Sequence, residues 1–321
     1  MGERLWISPY FLTPVSKLGA RALAGDRYGV LIRADLGGVS GFADLHPWPE
    51  LGDYSVAEEL KALAEGRPLR LGQRSLYFAR RDREARDQRK NLFDGLEIPV
   101  SHRLIPDLAS VTNQDLVYWR NEGFTHLKIK VGRDPIEELR RLKSLAPSLA
   151  GYRLRFDFNE IGTVEAVSEW IRALEGSVRS AIEFLEDPIA YQPMNWVRVA
   201  QETKLPLALD RQSTPDTPSD WLVIKPATQS SASFVATKSR VCVTSSLDHP
   251  VGQLAAALEA AELARDREVG ICGLLSQSAY EPNDFSRALR VEGPRLLPPT
   301  GDFGFGFTSL FEKADWRPLE S

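Results

Sequence analysis

The alternation of apolar and polar positions changes rhythm near residue 100. Before it, "RLWISPYFL", "YGVLIRADL" and "GVSGFADLHP" read as strands with glycine-rich turns between them. "SVAEELKALAEG" has the period of a short amphipathic helix, with Ser55 as its cap and Gly66 as its stop. "SLYFARRDREARDQRKNLFDGL" reads as a longer, heavily charged helix. Together these predict an α+β layer over residues 1–99. Beyond it, short apolar runs recur: "SHRLI", "HLKIK", "RLRFDF", "AIEFLE", "PLALD", "WLVIK", "RVCVT" and "VGIC". Between most of them lie helical stretches: "TNQDLVYWRNEG", "DPIEELRRLKSLAPSLA", "TVEAVSEWIRALEG", "PMNWVRVAQET", "QSSASFVATKS" and "PVGQLAAALEAAELARD". Strand–helix alternation predicts parallel strands, and eight of them predict an α/β fold closed as a (β/α)₈-type barrel over residues 100–298. The Gly/Phe-rich tail, residues 299–321, is expected to pack back on the barrel or on the first layer.

Composition narrows the function classes. The 321 residues are 43% hydrophobic and 26% charged, enough for a sizeable core and against extended disorder. A formal charge of −4 gives no reason to expect nucleic acid or an anionic membrane as partner. No apolar run is long enough to span a bilayer, and "MGERLWISPYF" lacks the basic-then-apolar plan of a signal peptide. The opening "MG" is not followed by the Ser or Thr of a myristoylation signal, because position 6 is Trp. A cytoplasmic protein is expected, and a monomer is compatible with everything in the sequence. Cys242 and Cys272 sit in apolar runs and read as core thiols. No Gly-x-Gly-x-x-Gly follows an early strand, so a dinucleotide site has no support. His46, His102, His126 and His249 fall at unrelated places and read as surface or locally bonded residues.

The chemistry lies in what the strands end with, because active sites of such barrels sit at the C-terminal strand ends. The second candidate strand ends with Lys128 and Lys130, which share a face because strand side chains alternate. The next three end with Asp157, Glu186 and Asp210, and the sixth with Lys225. One such residue alone is usually a turn or cap residue. Five on consecutive strand ends converge on one point. Three carboxylates brought together repel, and a hard divalent cation with oxygen ligands, Mg²⁺, removes that repulsion. Lysines on either side of a metal-held carboxylate form an apparatus for removing a proton α to it. The small-molecule substrate is therefore expected to be a carboxylate. Lys128 would tune its neighbour, Asn159 follows the first carboxylate, and Arg155 shares the parity of Asp157 and is expected to face inward and add positive charge.

This arrangement resembles the enolase superfamily, in the subgroup with Lys-x-Lys on the second barrel strand and a lysine on the sixth. The resemblance covers nearly the whole chain and implies a capping layer, a modified barrel and a returning tail. It implies that Lys130 of "KIK" is the base and that Asp157 of "DFN", Glu186 of "LEDP" and Asp210 of "LALD" hold Mg²⁺, with Mn²⁺ as a substitute. Lys225 of "VIKP" would be the lysine of the opposite face. A lysine base beside a metal-stabilised enediolate is a property of the superfamily, and the resemblance alone extends it to this chain. "LALD", "VIKP" and "VTSSLDHPVGQLAAALEAA" are similar to a dehydrating branch of menaquinone biosynthesis. That similarity implies syn dehydration of 2-succinyl-6-hydroxy-2,4-cyclohexadiene-1-carboxylate to o-succinylbenzoate. Ser245 and Ser246 are candidates for holding a substrate carboxylate, and equally for turn or cap residues.

The chain departs from the superfamily pattern at Arg211 and Gln212, where Glu and then Ser or Thr are common after the third ligand. Glu183 and Asp187 compete with Glu186, but Glu183 has the opposite parity and Asp187 precedes Pro188 outside the strand. The same two lysines would also serve an N-acylamino acid racemase or a dipeptide epimerase. Epimerases of the subgroup carry Asp-x-Asp on strand eight, where this chain has "CGLLSQS". A muconate-type cycloisomerase has Gly-Gly after strand six, which "KPAT" lacks. A barrel kept only for binding predicts the loss of at least one of the five residues, and all five are present.

Overall fold

The computed structural model describes residues 2–19 and 21–320. The chain opens with strands β1 (Arg4–Leu12), β2 (Arg27–Leu36) and β3 (Val39–Leu45), then helices α1 (Val56–Ala64) and α2 (Arg70–Asp87). Gly37 and Gly38, at φ of 64° and 85°, make the two-residue loop between β2 and β3, a conformation that favours glycine. Ser55 caps α1 in a reciprocal box with Glu58. Helix α2 begins five residues before the predicted Ser75. Leu69 has no side-chain cap to offer, and the buried Glu59 takes the Gly72 N–H at 3.0 Å instead. It ends at Asp87 rather than running on, because Arg89 turns left-handed at φ 52°.

The barrel strands are β4 (Arg103–Ile105), β5 (His126–Lys130), β6 (Arg153–Asp157), β7 (Ile182–Glu186), β8 (Leu207–Leu209), β9 (Trp221–Ile224) and β10 (Arg240–Val243). Around them run α3 (Asn113–Asn121), α4 (Pro135–Leu149), α5 (Val164–Ala173), α6 (Gly176–Ser180), α7 (Pro193–Thr203) and α8 (Pro250–Asp266). The seven strands form one parallel sheet in chain order. The predicted eighth strand, "VGIC", appears as isolated bridges rather than a regular strand. Gly270 N–H and Gly273 N–H donate to Val241 and Val243 on one side. Cys272 N–H donates to Val100, and His102 N–H to Cys272, on the other, so the segment closes the barrel. Its irregularity follows from two glycines in four residues. A Cβ at Gly270 would stand 2.5 Å from the Trp221 ring. The stretch "QSSASFVATKS" forms one 3₁₀ turn, Ser231–Phe234, rather than an α-helix, as its serines and β-branched residues disfavour a longer one. Cys242 and Cys272 are buried free thiols. No helix among the described residues is long and apolar enough to cross a membrane.

The chain ends with α9 (Asp284–Ala288), the hairpin β11 (Arg290–Glu292) and β12 (Arg295–Leu297), α10 (Thr308–Lys313) and β13 (Arg317–Pro318). Strand β13 pairs with β1 as an edge of the first sheet, whose order is β13-β1-β2-β3. Helix α2 lies across β3 so closely that a Cβ at Gly41 would meet the Ala79 carbonyl at 2.0 Å. Its other side meets α8 through ion pairs, Arg74 with Glu259 and Arg81 with Glu262 at 2.6 Å. Asp82, fully buried on α2, joins three parts of the chain. It accepts the Phe42 N–H at 2.9 Å, the Phe305 N–H at 2.6 Å and Arg86 Nε at 2.6 Å.

Asp82→Ala strands all three donors. Its unfolding free energy should fall by about 3–5 kcal/mol, the usual cost of breaking a buried charged pair, read from the midpoint of urea unfolding. A loss below about 1 kcal/mol, the worth of an ordinary hydrogen bond, would show that the joint does not depend on this carboxylate.

Candidate active site

Strand β5 alternates faces, so Leu127 and Ile129 are fully buried in the layer of helices while Lys128 and Lys130 point into the barrel mouth. Parallel register aligns Lys130 with Asp157, and Asp157 with Glu186. Asp210 follows β8 on the next strand and forms an ion pair with Lys225, which follows β9. The predicted lysines and carboxylates are thus brought together at one end of the barrel.

The two lysines of β5 have unlike surroundings. Lys128 Nζ lies 2.6 Å from Glu186 and 3.1 Å from Asp157. Burial works against its charge, but Asp157, Glu186 and Asp210 outweigh it and raise its pKa. Lys130 Nζ has only longer contacts, 3.4 Å to Asp157 Oδ2 and 3.4 Å to Asn159 Oδ1. Burial lowers its pKa, and Lys128 and Lys225 add to that against the pull of Asp157 and Glu186. Asp157 is pushed up by burial, but Lys128 and Lys130 overcome this and hold it below the ordinary carboxylate range. Glu186 is raised by burial and by Asp157 and Asp210, with Lys128 opposing.

A cavity of about 350 Å³ opens above these groups. Its floor includes Lys128, Lys130, Asp157, Asn159, Asp210, Lys225, Ser245 and Ser246. Its roof comes from the first layer: Leu18, Gly19, Trp48, Leu51, Asp53 and Arg70. A Cβ at Gly19 would meet Asn159 Oδ1 at 2.9 Å and Lys130 Nζ at 3.4 Å, so the loop passes over the lysine only as glycine. Trp48 is fixed by donating its indole N–H to the Ser246 carbonyl at 2.8 Å. Ser245 is committed to Ser276 at 2.8 Å, whereas the Ser246 hydroxyl is buried without a partner.

Other predicted residues lie elsewhere. Arg155 faces inward but beneath the floor, fully buried, where Nε donates to Glu183 at 2.6 Å. Its charge is therefore taken up there and is not offered to the cavity. Glu183 does not follow simple parity. Pairing jumps from Leu154–Ile182 to Arg155–Phe184, and this irregularity turns Glu183 toward the arginine. Glu186 is covered by Lys128 and does not line the cavity. Asp187 is buried and accepts the Asp210 and Arg211 N–H groups at 3.0 and 3.1 Å, which pins the turn carrying Asp210. Arg211 reaches back to the first layer and donates to the Leu51 carbonyl at 2.7 Å.

The histidine expectation holds for His126, bonded to Thr125, and for His249, which accepts the Val251 N–H as the cap of α8. It fails for His46 and His102, which are buried and line the cavity. Burial, reinforced by Arg27, pushes His46 down to about 3, and burial with Arg155 takes His102 well below the usual range, so both are neutral. Alternation along "SHRLI" was a usable signal for His102, which shares its face with the lining Leu104. No periodic signal in the sequence marks the roof residues.

Among the described residues, no group of three or more His, Cys, Asp or Glu side chains stands in metal-holding geometry. Lysines occupy the carboxylate oxygens instead. The donor set itself fits a hard divalent cation: three carboxylates from adjacent strands that feel one another's charge, with no sulfur or imidazole among them.

Residues 5–85 match the family model described as the o-succinylbenzoate synthase N-terminal domain, and residues 113–215 match enolase C-terminal domain-like. The chain is 36% identical to the o-succinylbenzoate synthase of Bdellovibrio bacteriovorus, an alignment covering 98% of each protein. Solved structures share the fold at low identity. The L-Ala-D/L-Glu epimerase of Bacillus subtilis has TM-score 0.74 and 18% identity over 94% of this chain and 97% of its own. The muconate lactonizing enzyme of Pseudomonas putida has TM-score 0.74 and 16% identity over 97% and 99%.

Glu183 gives a pH prediction. Burial pushes it up, but His126 and Arg155 outweigh burial and hold it at about 2. A depressed carboxyl contributes stability above its unfolded pKa and loses it as pH falls toward the folded value. Wild-type stability should therefore drop by roughly 2 kcal/mol more than that of Glu183→Gln between about pH 5 and pH 2, after allowance for screening at its open edge. Parallel pH–stability curves for the two proteins would remove Glu183 from that role.

Proposed function

The chain belongs to the o-succinylbenzoate synthase family of the enolase superfamily, and from that premise we propose how its residues carry out the reaction. The reading is syn dehydration of 2-succinyl-6-hydroxy-2,4-cyclohexadiene-1-carboxylate to o-succinylbenzoate in menaquinone biosynthesis, in the cytoplasm. The observation that carries it is the inequality of the two β5 lysines in a cavity shared with Lys225. Lys128 is engaged by two carboxylates, and Lys130 by none closer than 3.4 Å.

Lys130, as the neutral amine, takes the proton from the ring carbon bearing the carboxylate. The electron pair of that C–H bond moves toward the carboxylate, then returns to form the ring double bond as the C–O bond to the hydroxyl breaks. The Lys130 ammonium gives its proton to the departing oxygen on the same face, so water leaves and the amine is restored. Lys225, charged, stabilises the negative charge that builds on the substrate, in part through cation–π attraction to the ring. Asn159 holds Asp157 through its side-chain amide at 2.8 Å, and Ser246 offers an unpartnered hydroxyl to a substrate carboxylate. Asp157, Glu186 and Asp210 would hold Mg²⁺, which when bound supplies positive charge to the ring carboxylate. With Lys130 as the amine, the charged Lys128 and Lys225 face three carboxylates in this floor, and a divalent cation would offset the excess negative charge.

Epimerisation of dipeptides is disfavoured by the wall after the closing segment. There Gly273, Leu275 and Ser276 line the cavity and offer no acid to a substrate ammonium.

Incubating the protein with Mg²⁺ and the cyclohexadiene, and following its ultraviolet loss, tests the proposal. Wild type should turn over, EDTA should stop it, and Lys130→Ala and Lys225→Ala should each lose roughly 10²–10⁴-fold in kcat. A folded, Mg²⁺-loaded wild type that leaves the diene intact would overturn the reading. Deuterium exchange into N-acylamino acids would then be the assay to run.

A further inference from the structure

The cavity wall carries one more cation than its carboxylates pair with. Lys128 meets Glu186 and Asp157, Lys130 lies 3.4 Å from Asp157, and Lys225 is paired with Asp210. Arg211 Nε stands 3.7 Å from Glu160. Arg70, the first residue of α2, lines the same cavity and forms no ion pair among the described residues. Asp53 lies in the same wall, but it accepts the Trp48 N–H at 2.8 Å and does not pair with Arg70.

Arg74, one turn further along α2, shows what Arg70 lacks. Both arginines brace the segment that follows Lys225. Arg74 Nε donates to the Pro226 carbonyl at 2.9 Å, and Arg70 Nε to the Thr228 carbonyl at 2.5 Å. The outer edge of Arg74 is neutralised by the buried Glu259. Arg70 has the same backbone anchor but no carboxylate, and it lies exposed beside the cavity. An arginine held by Nε presents its two terminal nitrogens as a fork that matches a carboxylate.

We propose that Arg70 receives the terminal carboxylate of the succinyl arm and so selects dicarboxylates over monocarboxylates. This rests on the synthase reading, which sends the ring carboxylate to the floor beside Lys130. The second carboxylate, at the end of a flexible keto arm, then meets the roof. Leu51, Leu71 and Trp48 line the path of the arm, and Asp53 is the one carboxylate of the roof beside Arg70 among the described residues. Arg70 is a specificity residue in this scheme and takes no part in proton transfer.

The test compares o-succinylbenzoate with 2-butyrylbenzoate, whose arm ends in a methyl group instead of the carboxylate. Binding of each to wild type, Arg70→Gln and Arg70→Lys is measured by calorimetry with Mg²⁺ present, alongside turnover of the diene. Wild type should prefer the succinyl ligand by roughly ten- to a hundredfold, the worth of a charge-assisted bond. Arg70→Gln should abolish that preference while binding the butyryl ligand as wild type does, and Arg70→Lys should restore part of it. In turnover, KM should rise in Arg70→Gln with kcat largely kept. If wild type turns over but Arg70→Gln keeps the preference, or weakens both ligands equally, the Arg70 assignment falls and the synthase reading stands. If wild type does not turn over yet shows an Arg70-dependent preference, the assignment stands and the synthase reading falls. A wild type that neither turns over nor binds either ligand overturns both.

Discussion

The ammonium of Lys128 is the contact on which the barrel mouth depends. Asp157 and Glu186 are opposite one another in the register of β6 and β7, and both are almost fully buried. Two carboxylates in that position repel strongly where the dielectric is low. Lys128 reaches both from the next strand, and so turns a repulsion into a bridge across three strand ends. Its engagement also sets the state of its neighbour. With Asp157 drawn to Lys128 at 3.1 Å, Lys130 is left with contacts of 3.4 Å in a buried site beside a fixed positive charge. The charge of Lys128 is thus committed to the strand ends, and that of Lys130 is not.

The first layer is attached to the barrel in two ways. Helix α2 is fixed, through Asp82 to β3 and the tail and through Arg74 and Arg81 to α8. The loops that roof the cavity are held by scattered contacts: Trp48 by the Ser246 carbonyl, Leu51 by Arg211, Lys17 by Arg133 at 2.9 Å, and Arg21 by Glu160 at 3.0 Å. The departure from the superfamily pattern after Asp210 therefore has a structural use. Arg211 spans from the strand end to the roof, and Asp187 orders the turn that carries it.

The barrel was legible because each strand pairs with its successor in the chain, so periodicity and strand ends alone predict which side chains converge. That logic brought Lys128, Lys130, Asp157, Asp210 and Lys225 to one cavity. Glu183 stays off the cavity, but a register shift rather than parity alone decides where it points. The same logic placed Arg155 on the right face but said nothing of depth, which decides whether a charge meets substrate or is neutralised below it. The roof was unreadable. Gly19, Trp48 and Arg70 reach the site through tertiary packing of loops and a helix end, and none belongs to a repeating pattern. The start of α2 was missed for a related reason, since its cap is Glu59 from another helix.

The closing segment of the barrel bears on how this protein can diverge. Gly273 sits where a Cβ would come within 2.7 Å of the His102 ring and 2.8 Å of the Thr244 methyl. His102 is itself held by Arg155 at 3.1 Å, and Arg155 by Glu183, so the ring has little room to yield. A side chain introduced at this seam would displace a chain of contacts that runs to the bottom of the barrel. An acidic side chain here would therefore require several coordinated replacements, so the seam resists a new charge at this point of the cavity wall.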